Sequence, residues 1–198
     1  FDPTRISLYD AATQEVLTRM REALAQERAG NPAAALEIYA SVLKARPAYA
    51  EALKGKARCL LQQGKTDEAV AILRFVAFAN RDDAQAQVLL GTAYCMAGQY
   101  NPAVEVLTPL VVKDPSNAQA QNAIGAAWMG LGDKRSAKTA LEKAVALDPE
   151  LADAHFNLAQ VLVGTDAAGD EQARQHYRKA MSLGVPPDEE LAKALAAP

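Results

Sequence analysis

Apolar positions along the chain recur at the three- and four-residue spacing of amphipathic helices, not at the two-residue spacing of strands. Val88, Leu89, Tyr94 and Met96 ride one such stretch. It stops at Gly98, a residue suited to the left-handed position just beyond a helix end. A second stretch restarts at Asn101-Pro102, where Asn can cap free amides and Pro fits a first turn. It closes before Asp114-Pro115, because the residue preceding a proline is pushed out of the helical region. The pattern predicts two helices joined by a short turn. Asn31-Pro32 gives the same start signal earlier in the chain, and Thr66-Asp67-Glu68 a related one.

This unit repeats. Gly30, Gly64, Gly98 and Gly132 are each 34 residues apart. Ala35, Ala69, Ala103 and Ala137 follow them at a fixed distance, then Tyr39, Leu73, Leu107 and Leu141, then Val42, Val76, Leu110 and Ala144. Pro47, Pro115 and Pro149 close three units, with Arg81 where another proline would fall. Upstream of the glycines stand Ala57, Gly91, Gly125 and Ala159, then Leu60, Tyr94, Trp128 and Leu162. Glycine inside a helix costs about 1 kcal/mol against alanine, so Gly91 and Gly125 predict a close helix approach.

Leu90-Gly91-x-x-Tyr94, Gly98, Ala103, Leu107, Leu110 and Pro115 resemble the 34-residue signature of the tetratricopeptide repeat. Ile124-Gly125-x-x-Trp128, Gly132, Ala137, Leu141, Ala144 and Pro149 are similar to it as well, and the resemblance covers roughly residues 16–185. It implies an all-α fold, an α-solenoid of about five helix-turn-helix repeats forming a right-handed superhelix. The expected array is a single domain over 1–198. An N-terminal helix extension takes 1–15, the repeats run at about 16–49, 50–83, 84–117, 118–151 and 152–185, and a capping helix takes 186–198. Two departures stand out. Glu22-Ala23 replaces Leu-Gly in the first unit, so its first helix is expected to pack differently. The fifth unit has a longer turn, Gly164 to Gly169.

The ends read as caps. Asp2-Pro3 starts a single long helix to about Ala29, carrying Ile6, Tyr9, Val16, Met20 and Leu24. Pro186-Pro187-Asp188 restarts a short helix with Leu191 and Leu195 on one face and Glu189, Glu190 and Lys193 outside.

Composition narrows the function. The 198 residues carry a net charge of -3, which argues against a nucleic-acid partner. No stretch is apolar enough for a membrane span. The split is +1 over residues 1–100 and -4 over residues 101–198, so weak head-to-tail self-association is conceivable. The chain begins at Phe1 and not Met, which suggests a processed or excised segment, and leaves bacterial cytoplasm or envelope open as compartments.

Reactive constellations are missing. Cys59 and Cys95 have no metal-ligand spacing and read as small packed hydrophobes. His155 and His176 read as surface or interface side chains, Trp128 as core, and Asp82-Asp83 and Asp188-Glu189-Glu190 as helix-start acids. No nucleophile elbow, phosphate loop or zinc-binding helix occurs, so no catalytic residue, metal or cofactor is expected.

What remains is binding. The family resemblance places unused first-helix positions on a concave groove that holds a partner peptide. In the second unit these are Lys54, Arg58 and Gln62; in the third, Gln85, Val88, Leu89, Thr92 and Met96. In the fourth they are Gln119, Asn122 and Met129, and in the fifth Phe156, Asn157 and Gln160. Amides can pair with an extended backbone, while Leu, Met and Phe give shallow apolar contact. Lys54 and Arg58 share one helix face, either to hold an acidic group of a partner or as a solvated pair beside Glu51. Leu89 and Thr92 stand where a carboxylate clamp of this family would need polar groups.

The expected function is therefore a non-catalytic protein-protein interaction scaffold, binding a peptide or protein segment within a bacterial multiprotein assembly. The alternatives are a regulatory or substrate-presenting arm of a larger enzyme, or a self-assembling scaffold.

Overall fold

A computed structural model describes residues 3–165 and 167–196, with side chains described over 13–165 and 168–196. The described residues form helices and turns without a strand. In chain order the helices are α1 (Pro3–Arg28), α2 (Pro32–Ala45), α3 (Ala50–Gln62), α4 (Thr66–Ala79), α5 (Ala84–Met96) and α6 (Tyr100–Lys113). They continue as α7 (Ala118–Gly130), α8 (Lys134–Leu147), α9 (Ala152–Leu162), α10 (Ala167–Ser182) and α11 (Glu189–Ala196). The chain divides into two compact units, Phe1–Ala93 and Tyr94–Pro198, with the division inside α5.

Two kinds of turn alternate. At the first, Gly30, Gly64, Gly98 and Gly132 all have φ between 70° and 80°, a region closed to most side chains. The following residue donates its N–H to the carbonyl five positions back: Asn31 to Gln26, Lys65 to Leu60, Gln99 to Tyr94 and Asp133 to Trp128, at 2.8–3.0 Å. That bond satisfies a carbonyl the helix end would otherwise orphan. At the second turn, Arg46, Asn80, Asp114 and Asp148 are held extended at φ -130° to -136°. Asn80 takes this conformation although Arg81, not proline, follows it. The backbone bond from Asp83 to Asn80 closes that turn at 3.2 Å, so proline reinforces it but is not required.

Within the first unit α1 packs on α2, α2 on α3 and α3 on α4, and α1 also touches α3. Within the second the chain order of packing runs from α6 through α11, and α7 also touches α9. That additional contact brings first helices side by side. The repeat columns are the core: Ala35, Ala69, Ala103 and Ala137 are wholly buried, as are Tyr39, Leu73, Leu107 and Leu141. Trp128 is half-buried against the cluster containing Leu141 and Leu162.

The departures have local causes. Ala23 is wholly buried in the small-residue column, so the first unit keeps the common packing there, while Glu22 points to solvent. Neither Asn31 nor Asn101 caps its helix. Asn31 gives its side-chain amide to Gln26, and Asn101 lies inside the first turn of α6, which starts at Tyr100. Capping falls instead to Asp83, Asn117, Asp133 and Asp188, each accepting a backbone N–H three residues on at 2.8–3.0 Å. The fifth turn is shorter than its sequence suggests. Asp170 accepts the Gly164 N–H at 2.7 Å and the alanines continue into α10. Asp2 and the side chains of Ile6 and Tyr9 lie outside the described residues. At the other end Leu191 and Leu195 are buried, and Tyr177 Oη accepts the Asp188 N–H at 2.7 Å and donates to its carbonyl at 3.0 Å.

A Cβ on Gly55 would run into the Tyr39 ring, and one on Gly125 would stand 2.6 Å from Leu141 Cγ. Alanine in place of a mid-helix glycine ordinarily stabilises by about 1 kcal/mol. Here Gly55→Ala and Gly125→Ala are each expected to lower the melting temperature, because overpacking costs about 1–3 kcal/mol. A rise in melting temperature for both would show that these contacts yield.

Candidate interaction surface

The first-helix positions behave differently in the two units. In the first, the charges are consumed internally. Lys54 on α3 is buried, and its Nζ donates to Asp83 Oδ2 and Gln85 Oε1 at 2.9 Å each, with Glu51 Oε1 at 2.7 Å. Arg58 donates to Glu27 Oε2 at 2.7 Å. Cys59 Sγ donates to Glu27 Oε1 at 3.4 Å. This corrects the picture of an open basic face: Lys54 is neither solvated nor available, and Arg58 is already paired. The signal was present in the spacing, since Asp83 and Gln85 stand at the start of the next first helix and Gln85 is one 34-residue step beyond Glu51.

These contacts set the local electrostatics. Burial works against the Lys54 charge, yet the hydrogen bonds and charges of Glu51 and Asp83 hold it above its ordinary value. Burial likewise opposes the Asp83 carboxylate, but Lys54 and the Ala86 N–H hold it below the usual range. Tyr39 is wholly enclosed and its hydroxyl has no hydrogen-bond partner. Burial, then the Glu27 carboxylate, pushes it up to about 12. Burial pushes Cys59 to about 12, with Glu27 adding to the shift, and Cys95 to about 11, so both stay protonated thiols near neutral pH.

Of the other expected positions in the first unit, Gln62 is exposed, Gln85 is exposed but engaged by Lys54, and Val88, Leu89 and Thr92 are half-buried on α5. Met96, beyond the division, is exposed at 52%.

In the second unit the face stays open. Gln119 is exposed on α7, while Asn122, Met129, Phe156, Asn157 and Gln160 are half-buried on α7 and α9. Asn157 Nδ2 donates to Asn122 Oδ1 at 2.9 Å, which joins the two first helices across this face. The bond leaves the Asn122 amide N–H and the Asn157 carbonyl oxygen to pair outward. Phe156 packs against Tyr177 with ring centroids 6.4 Å apart.

One pair escaped the sequence reading. His155 Nδ1 and His176 Nδ1 lie 2.9 Å apart across α9 and α10, with His155 Nε2 3.0 Å from the Pro149 carbonyl. The carbonyl can only accept, so His155 carries its hydrogen on Nε2 and accepts from the His176 Nδ1–H. The ring centroids are 5.1 Å apart, which matches nitrogens facing each other nearly in line, as a hydrogen bond needs. Burial, and then His155, pushes His176 below its ordinary value, with Glu142 of α8 pulling the other way. Among the described residues no three His, Cys, Asp or Glu side chains are grouped to hold a metal ion. No helix among them is long and apolar enough to cross a membrane.

Family models of the tetratricopeptide repeat match residues 26–89 and 127–183, together more than half of the chain. The chain belongs to the tetratricopeptide repeat family. Solved structures agree in fold. The MamA RS-1 ArsTM double mutant is 26% identical, covering 85% of this chain and 93% of that one, with a TM-score of 0.63. TTC0263, a thermophilic TPR protein of Thermus thermophilus, is 22% identical over 91% of this chain and 97% of its own, at 0.77. PilW, titled a widely conserved type IV pilus biogenesis factor, is 19% identical over 92% and 86%, at 0.73. No curated protein matches the chain. The tetratricopeptide repeat is a protein-interaction scaffold, and its members are typically non-catalytic.

Two measurements follow. Lys54→Met leaves Asp83 half-enclosed without its cation and is expected to destabilise by about 1.5–3 kcal/mol in denaturant unfolding; an unchanged midpoint would mean the network contributes nothing net. For His176, a lowered folded value means the unfolded chain binds more protons below about pH 6.5. Its share of stability is complete above that pH and is lost as pH falls through the folded value. Between pH 7.5 and 5 the parent is expected to lose more melting temperature than His176→Gln, and parallel curves would show that the pair is indifferent to its proton.

Proposed function

We propose that the chain is a non-catalytic scaffold that holds a peptide or protein segment on its first-helix faces, as part of a bacterial multiprotein assembly. The observation that carries this reading is the face of α7 and α9. Its apolar columns are spent on the core, yet Met129, Phe156, Asn122, Asn157 and Gln160 remain partly open beside them. Amide groups offering both donors and acceptors suit an extended backbone, and the half-open Met and Phe add apolar contact at small conformational cost. Elsewhere in the chain the thiols are held protonated and the buried lysine is tied to two carboxylates, which fits a reading based on contact. The bacterial context draws on the alanine-rich composition and on likeness to MamA from Desulfovibrio magneticus RS-1, 25% identical over 85% of this chain.

Photo-crosslinking tests the reading directly. A benzoylphenylalanine at Gln119 or Met129 is expected to capture a partner segment in the native host, while one at exposed Lys138 on α8 captures none. Equal yields from Lys138, or yields there alone, would move the binding surface to the second helices and overturn the proposal.

A further inference from the structure

The charges bordering the open face say which segment it takes. α7 carries no charged residue, and the one carboxylate on α9 is Asp153. Every lysine and arginine of the second unit stands on α6, α8, α10 or α11. Asp153, Phe156, Asn157 and Gln160 follow one another at spacings that keep them on one side of α9, and Val163 stands just beyond its C-terminal end. Near the C-terminal end of α9 a shallow, solvent-open cavity of about 270 Å³ is lined by Gln160, Val163, Asp188, Glu190, Leu191 and Ala194.

The lining has two parts. Val163, Leu191 and Ala194 supply apolar surface, while Gln160, Asp188 and Glu190 supply an amide and two carboxylates. Asp188 commits Oδ1 to the Leu191 N–H at 2.8 Å, which caps α11. Asp153, Gln160 and Glu190 have no side-chain hydrogen bond or ion pair among the described residues. An apolar floor beneath a carboxylate rim suits a long cationic side chain, whose methylene stem lies on the floor while its head meets the acids. An acidic segment would set like charges against Asp188 and Glu190, with no lysine or arginine on α7 or α9 to answer them.

We infer that the second unit docks an extended segment bearing a lysine or arginine, with that side chain entering the α9–α11 cavity. This rests on the proposed binding face and adds the charge of its occupant. Basic side chains are then the selective element, and the Asn122–Asn157 amides give sequence-tolerant pairing along the backbone.

The experiment selects random twelve-residue peptides displayed on phage against the full chain, then measures one selected peptide by fluorescence anisotropy. Lysine or arginine is expected to be enriched at one position. Replacing that residue by norleucine should weaken binding about tenfold at low salt, and by glutamate further. Glu190→Gln, an exposed change, should shrink the arginine-over-norleucine preference about threefold, and an unchanged preference would overturn the inference. Neutral or acidic peptides that still crosslink to Met129 would overturn this inference while the binding face stands. Peptides that bind only at the second helices, or no selected peptide at all, would sink both. A concentration-dependent dimer displaced by the selected peptide would name a second copy of the chain as the occupant, and that too overturns it.

Discussion

The distance between the two helices of a repeat governs the rest of this molecule. A short turn cannot tolerate a wide gap, so one helix presents glycine or alanine where the other drives in a large side chain. Leu141 over Gly125 shows how little room remains within a repeat, and Tyr39 over Gly55 shows the same between the second helix of one repeat and the first helix of the next. The left-handed glycine at each hairpin makes so short a turn possible without strain. With both conditions met, the second helices bury the Tyr39, Leu73, Leu107 and Leu141 column completely. The first helices are then packed on the hairpin partner and, at α1–α3 and α7–α9, on the next first helix. Only one narrow side of each is left over, and that leftover side is where binding residues can stand.

The two units use the leftover side differently. In the first, Lys54 and Arg58 reach acids from neighbouring helices and stiffen the packing. Burying such charges is favourable only because each is matched; the net gain is small and the cost of breaking a match large. In the second unit the equivalent positions carry amides and apolar groups whose burial carries no comparable penalty. Asn122 and Asn157 satisfy each other with one bond and keep capacity for others. A surface of that kind can be covered by a partner without first dismantling an ion pair.

Much of the fold was legible because it follows from period. The 34-residue step, the glycine turns and the small-residue columns are all sequence features whose geometry is local or nearly so. What was not legible depended on side-chain reach between elements. Asn31 looked like a cap, but Gln26 competes for its amide. Lys54 looked solvent-facing on its own helix, yet the acid that pairs with it is the residue that caps the next first helix. His155 and His176 looked unrelated at a separation of 21 residues, and meet because α9 and α10 fold back on each other. In each case helix identity was right and the partner across the turn was invisible to a one-helix reading. The partly open positions on α7 and α9 were legible as open for the complementary reason: they are what the periodic columns leave behind.

Charge on the open face acts at two ranges. Asp153 and Gln160 are seven residues apart, about 10 Å along the helix axis. At physiological ionic strength that exceeds the screening length of about 8 Å. Asp153 therefore contributes to approach and orientation more than to holding a cation at the cavity. Glu190 and Asp188 line the cavity itself, within direct reach of a cationic head group laid over its apolar floor. Specificity for a basic side chain is thereby concentrated in a small part of a long surface, and the remainder stays tolerant of sequence. The proposed docking draws its selectivity from carboxylates gathered at one end of a face on which Asp153 is the other acid.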